Sequence, residues 1–273
     1  MYRKIMLLFT GLCCGIALKA QQISRQPLSI GQTAVLKSSV MGEDRTLNIY
    51  LPEGYEKDTA VYPVIYLLDG AMSEDFLHVA GLVRFLCATE QMPPAIVVGI
   101  ANTDRKRDFT FPTRNKKDLQ QWPTTGHSEK FLQFMEQEVQ PYVEKNLHTN
   151  GSRTLIGQSL GGLLATEMLL KKSHLFDQYI IVSPSLWWDD ESLLDKAPAL
   201  LKTPFKKQTR VYVLVGSEGP QMEGDAAQLA TAIRAAGNDQ LRVAFMFLPE
   251  ENHLTILHRA LYKALGALFA KKQ

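Results

Sequence analysis

A serine and a histidine in this chain stand where acyl transfer would need them. Ser159 lies in Gly157-Gln158-Ser159-Leu160-Gly161, the pattern Gly-x-Ser-x-Gly, in which a tight strand-to-helix bend lifts the hydroxyl above the carboxyl edge of a sheet. A serine hydroxyl attacks a carbonyl only if a base with a pKa near the working pH takes its proton. Among the six histidines, His253 follows the turn Pro249-Glu250-Glu251-Asn252 and comes late in the chain, as the serine, acid, histidine order requires. His258, in the terminal helical stretch, is the second choice. The imidazole also needs a carboxylate that fixes its tautomer and stabilises its cation. Glu218 occupies the turn after the strand preceding the histidine's strand; Asp225 competes, because the loop 216–224 is long enough to bring either inward.

The tetrahedral intermediate of acyl transfer places charge on the former carbonyl oxygen, and each backbone N–H aimed there contributes roughly 3 to 4 kcal/mol. Leu160 supplies one at the start of the helix after Ser159. The other falls to the turn after the strand 62–68, to Gly70 or Ala71. Substrate-wall candidates are Trp187 and Trp188, adjacent in a loop and unable both to face the core. Arg105, Arg107, Asp108 and Arg114, in a long insertion, could hold an anionic or strongly polar group. No cluster of histidines and carboxylates suggests a metal, and the reaction needs no cofactor.

These residues require a sheet whose strands end at one edge. Runs at 62–68, 95–100, 154–156, 179–182, 211–215 and 243–247 read as strands, the first two continuous and branched-rich as in strands buried on both faces. Segments 32–39 and 45–50 alternate as edge strands do. Helical periodicity marks 74–89, a long stretch from Ser128 with Pro141 as a kink point, 162–172, 225–236 and 256–269. Strand, helix, strand in series predicts an α/β fold, a mostly parallel central sheet with helices on both faces. The chemistry-bearing residues all lie just past carboxyl ends of strands, where such sheets place their sites. Residues 101–128 lack periodicity but hold Phe109, Phe111 and Trp122, which predicts an ordered excursion forming one wall of a pocket.

Composition sets the limits. Residues 1–20 read as an export signal: Arg3 and Lys4, an apolar stretch 5–18, and Ala20 before a cut ahead of Gln21. The apolar stretch is too short for a comfortable membrane span. Removing the signal takes Arg3, Lys4 and Lys19 from the 30 basic residues, leaving 27 against 28 acidic ones, a net charge of −1. That balance does not suggest nucleic acid or an anionic membrane as partner. Cys87 becomes the sole cysteine, so no internal disulfide forms. Residues 21–273, without linker or repeat, read as one domain, periplasmic or secreted.

These motifs carry a resemblance. The chain is similar to the bacterial esterase family within the α/β hydrolases, which includes S-formylglutathione hydrolases and trilactone siderophore esterases. The marks are Arg-Thr-Leu-Asn-Ile-Tyr-Leu-Pro-Glu-Gly-Tyr at 45–55; Tyr66-Leu67-Leu68-Asp69-Gly70; Asn102-Thr103-Asp104-Arg105 with Arg107-Asp108; 157–162; Ser183-Pro184-Ser185-Leu186-Trp187-Trp188; and 216–222. The resemblance implies an α/β-hydrolase fold over nearly all of 21–273, Ser159 as nucleophile, His253 as base, and Arg107 and Trp188 near the substrate. Gln158 stands where histidine is most often found in the family, and Leu254 where glycine often follows the histidine.

The expected reaction is hydrolysis of a polar carboxylic ester through an acyl-enzyme, on a siderophore trilactone or an acylated carbohydrate. Transfer of the acyl group to another alcohol by the same site is an alternative, and a binding protein that has lost turnover is another.

Overall fold

The computed structural model describes residues 24–57 and 59–270; the signal expected at 1–20 lies outside the described residues. Among them, eight strands form one sheet: β1 (Gln32–Ser38), β2 (Glu43–Tyr50), β3 (Tyr62–Leu67), β4 (Ile96–Ile100), β5 (Thr149–Gln158), β6 (Gln178–Val182), β7 (Thr209–Gly216) and β8 (Leu241–Leu248). Their order is β1-β2-β4-β3-β5-β6-β7-β8. β3 to β8 pair in parallel, while β2 runs antiparallel to both β1 and β4.

The helices are α1 (Phe76–Ala88), α2 (Arg105–Phe109), α3 (Lys116–Gln121), α4 (Ser128–Phe134), α5 (Gln140–Asn146), α6 (Leu160–Lys171), α7 (Ser192–Leu200), α8 (Pro220–Ala235) and α9 (Ile256–Phe269). Two apolar cores separate them. One contains residues of α4, α6, α7 and α8, the other residues of α1 and α9. The strands feed both, because successive side chains point to opposite faces. In β3, Val64 and Tyr66 enter the first core, Ile65 and Leu67 the second. That is why this strand is a continuous apolar run. α6 is buried along its whole length from Leu160 to Leu170, so its sequence is apolar on nearly every side, and its buried polar residues each have a partner within the helix, Gly162 O for Thr166 and Lys171 for Glu167.

Four boundaries differ from expectation. β2, read as an edge strand, lies between β1 and β4; the edges are β1 and β8. β5 begins at Thr149, five residues early, since Asn150, Gly151 and Ser152 hide strand in a polar stretch. α8 begins at Pro220, whose missing N–H suits a first helical turn. Pro141 opens α5 directly after a π turn at Met135–Val139; the widened turn absorbs the hydrogen bond and space that proline denies an α-helix. Glu138 of that turn accepts hydrogen bonds from the N–H groups of Ser39 (2.9 Å) and Val40 (3.1 Å), fastening the β1–β2 turn to the helix layer.

Candidate active site

Ser159 joins β5 to α6 with φ 59° and ψ −121°, a conformation that L-residues avoid. Neighbouring strands and backbone hold the bend. The Ser159 N–H donates to Val182 O (3.0 Å), and its carbonyl accepts from Ser185 N–H at 3.0 Å and Leu163 N–H at 2.9 Å. A Cβ on Gly157 would collide with the Gly161 carbonyl, so the first glycine of the motif is a steric necessity. At Gly161 a Cβ would lie 3.2 Å from Asp69 Oδ2, tight but not a collision with strand or helix backbone.

His253 reaches Ser159 from the turn after β8. Its Nε2 lies 3.1 Å from Ser159 Oγ and its Nδ1 2.5 Å from Glu218 Oε2. With the proton on Nδ1 donated to Glu218, Nε2 is left to accept the serine proton. Glu218, after β7, has only 3% of its side chain exposed. Its Oε1 accepts from the Ser183 hydroxyl and from Gly216 N–H, the latter at 3.1 Å. Burial pushes its pKa up, but hydrogen bonds from His253, Ser183 and the Gly216 backbone outweigh this and hold it below the ordinary carboxylate value. Asp225, the competing acid, is buried on α8 and has no hydrogen bond to His253; desolvation and then the charge of Glu191 raise it to about 6. His258 pairs with His78 instead (2.8 Å), linking α9 to α1.

Gln158, next to the nucleophile, had no expected role. Its Nε2 donates to the His253 carbonyl at 2.6 Å and ties the histidine turn to the serine turn. Sequence carried no signal for this, because only the fold brings positions 158 and 253 together. Ser185 is a second such residue, its Oγ 3.3 Å from Ser159 Oγ.

The three oxyanion candidates fare differently. Leu160 opens α6, where helix geometry leaves the first N–H groups without intrahelical acceptors. Gly70 donates to Ile100 O (2.9 Å) and is not available; its lack of a Cβ serves close packing on Gly99 of β4 instead. Ala71 N–H remains directed at a side chain, Glu74 Oε2 at 2.9 Å.

The substrate-wall expectations are corrected in three places. Asp108 is fully buried and bonded to Arg45 (2.6 Å) and Arg107 (2.7 Å). Arg107 pairs with Glu43 and Asp108, which raise its pKa, and its guanidinium is absorbed in a network joining β2 to α2. Trp188 is fully buried with Nε1 donating to Phe111 O at 2.9 Å. Charged and aromatic types are the same for a buried network as for a binding wall, and the resemblance that put Arg107 and Trp188 near the substrate does not separate the two. Arg114 gives its backbone N–H to Asp189 (2.7 Å).

The residues that do border the cleft are others. On one side of Ser159 and His253 a hollow of about 360 Å³ is lined by Asp69, Glu74, Asp75, Arg105 and Gln158. Arg105 grips Asp69 through Nε (2.6 Å) and Nη2 (2.8 Å). On the other side, about 530 Å³ is lined by Ser185, Trp187, Ser217, Met222 and Asn252. Trp187 packs against Trp122, ring centroids 5.7 Å apart. Larger hollows exist, one of about 690 Å³ beside Leu28, Tyr50 and Leu77 and one of about 1000 Å³ beside Cys87, but no histidine lines either to activate a nucleophile. Chemistry rather than volume marks the site.

Comparison with known proteins agrees with this geometry. The sequence model of the family described as "Putative esterase" matches residues 38–256. The chain is 29% identical to the ferri-bacillibactin esterase BesA of Bacillus subtilis, over 87% of this chain and 89% of that one. Among solved structures, an IroE-like serine hydrolase from Shewanella oneidensis superposes with a TM-score of 0.80 at 33% identity, covering 88% of this chain and 80% of the other. The BES protein from Bacillus cereus gives 0.80 at 30% identity, covering 93% and 100%. The chain belongs to this esterase family of α/β hydrolases and is a serine ester hydrolase.

Proposed function

We propose that the enzyme hydrolyses a trilactone siderophore or a closely related polar ester, with Ser159 as nucleophile, His253 as general base and acid, and Glu218 as the orienting carboxylate. The observation that carries the residue roles is the continuous contact from Glu218 through His253 to Ser159 Oγ, at 2.5 Å and 3.1 Å, on a strained turn. Ser159 Oγ attacks the ester carbonyl while its proton passes to His253 Nε2. The electron pair of the carbonyl moves onto oxygen, facing Leu160 N–H and Ala71 N–H. As the C–O bond to the alcohol breaks, His253 returns the proton to the departing oxygen. Water, deprotonated by the same nitrogen, then releases the acid and regenerates Ser159.

Two features support the substrate class. Relatives over most of the chain include an esterase for a ferric siderophore. The cleft is also open, with charged side chains along one side and 40% of the His253 side chain exposed, which suits a large polar ligand. Trp187 on one side and Arg105 on the other replace Trp188 and Arg107 as the substrate-facing residues in this reading. Export by residues 1–20 belongs to the same proposal, since it would place the enzyme where such ligands enter the cell.

A fluorophosphonate probe should label Ser159, with labelling lost in Ser159→Ala and much slowed in His253→Ala. Turnover of ferric and iron-free trilactones should exceed that of acetylated xylo-oligosaccharides, feruloyl sugars and S-formylglutathione. A wide preference for S-formylglutathione would overturn the substrate class, and acyl transfer to added alcohol would replace hydrolysis by transfer.

A further inference from the structure

We propose that Glu74 is a specificity-determining residue. Its carboxylate occupies the Ala71 N–H in the free enzyme and yields it to acyl groups that carry their own hydrogen-bond donor beside the ester carbonyl. The proposal rests on the reading above, in which Ala71 N–H receives the carbonyl oxygen at Ser159.

Glu74 and Ala71 are bonded reciprocally: Ala71 N–H donates to Glu74 Oε2 (2.9 Å), and Glu74 N–H donates to Ala71 O (3.0 Å). The same carboxylate borders the hollow that contains Ser159 and His253. With Gly70 N–H already given to Ile100 O, Ala71 is the one left of the two oxyanion candidates on this turn, and its N–H is held by the Glu74 carboxylate. A carbonyl oxygen becoming negative cannot share that N–H with a carboxylate, so Oε2 must leave as the substrate enters. The other oxygen stays held: Asn102 Nδ2 donates to Glu74 Oε1 (2.8 Å) while also donating to Asp69 Oδ1 (2.6 Å). The neighbouring guanidinium of Arg105 is engaged with Asp69. Displaced Oε2 therefore remains at the cleft, beside the scissile carbonyl, in need of a donor.

An N–H or O–H on the carbon next to that carbonyl supplies one. N-acylated amino-acid esters and α-hydroxy esters have it; simple fatty acyl esters do not. An acyl group with a carboxylate there meets Asp69, Glu74 and Asp75 together. The bland role for Glu74, closing the turn before α1, predicts loss of stability on its removal but no discrimination among acyl groups.

The test uses the full enzyme and three p-nitrophenyl esters: N-acetylglycine, with an N–H beside the carbonyl; N-acetyl-N-methylglycine, without it; and butyrate. The Ser159→Ala protein gives the background. In the wild type the first ester should exceed the second in kcat/KM by about tenfold or more. In Glu74→Ala the ratio should collapse towards one and butyrate hydrolysis should rise. Glu74→Gln, which keeps an acceptor but not the charge, should retain a reduced preference. An unchanged ratio in Glu74→Ala, or a proportional fall for all three esters, would overturn the proposal. Fluorophosphonate labelling separates the levels: an unmoved ratio in a labelled protein removes Glu74's role alone, whereas an unlabelled wild type removes the nucleophile as well.

Discussion

Glu218 has one oxygen for His253 and one for Ser183 and the Gly216 backbone, so its position is over-determined. Replacing it with Gln keeps the shape but offers the imidazole an ambiguous partner. Glu218→Gln should lower kcat about 10²- to 10⁴-fold with little change in KM. Its depressed pKa also stabilises the fold above the ordinary carboxylate value, a contribution lost as pH falls through the native pKa. Acid unfolding of Glu218→Gln, followed by circular dichroism, should therefore show a shallower acid limb. The choice between Glu218 and Asp225 was not legible in the sequence, because loop 216–224 permits both. What decides it is that Asp225 has become part of α8, turned into the layer beside Glu191. Ser159 and His253 were legible because each follows a strand end, and strand ends are visible as apolar runs.

At the scale of elements, β2 and α2 are joined by Arg45, Glu43, Arg107 and Asp108, with Arg45 and Asp108 fully buried and Phe131 and Phe134 against the Arg45 guanidinium. Removing Asp108 leaves the Arg45 charge without its buried partner. Asp108→Ala should therefore cost about 3 to 5 kcal/mol in urea unfolding and leave KM nearly unchanged, where a substrate contact would do the reverse. The turn between β3 and α1 makes the opposite demand. Desolvation, then repulsion by Asp69 and Glu74, raises Asp75 to about 6. Between the ordinary value of 3.8 and that figure the folded state binds more protons than the unfolded chain, so stability falls as pH rises through this window. Asp75→Asn should raise thermal stability at pH 8 by about 1 kcal/mol, after allowance for solvent screening, and change little at pH 4. The wall-forming role expected for 101–128 was legible only in part. Its large aromatics do mark ordered chain, but Phe109 and Phe111 are buried in the first core, and Arg105 is the residue of α2 that borders the cleft.

At the scale of the molecule, one twisted sheet with helices on both faces gathers distant stretches at its carboxyl edge. Turns after β3, β5, β7 and β8 supply Ala71, Ser159, Glu218 and His253, and parallel pairing puts these turns on the same edge. The parallel core and its order of motifs were readable because a two-sided sheet needs long apolar runs separated by helices. The place of β2 inside the sheet was not, since an interior antiparallel strand and an edge strand can share one alternating pattern. The central claim is that this edge carries out covalent catalysis through one hydroxyl. Rapid-quench intact-mass analysis with a p-nitrophenyl ester tests it most directly. The account predicts a transient adduct of one acyl group on the peptide containing Ser159, formed with the burst of p-nitrophenol and absent in Ser159→Ala. Full turnover by Ser159→Ala, with no adduct on the wild-type protein at any time, would contradict it.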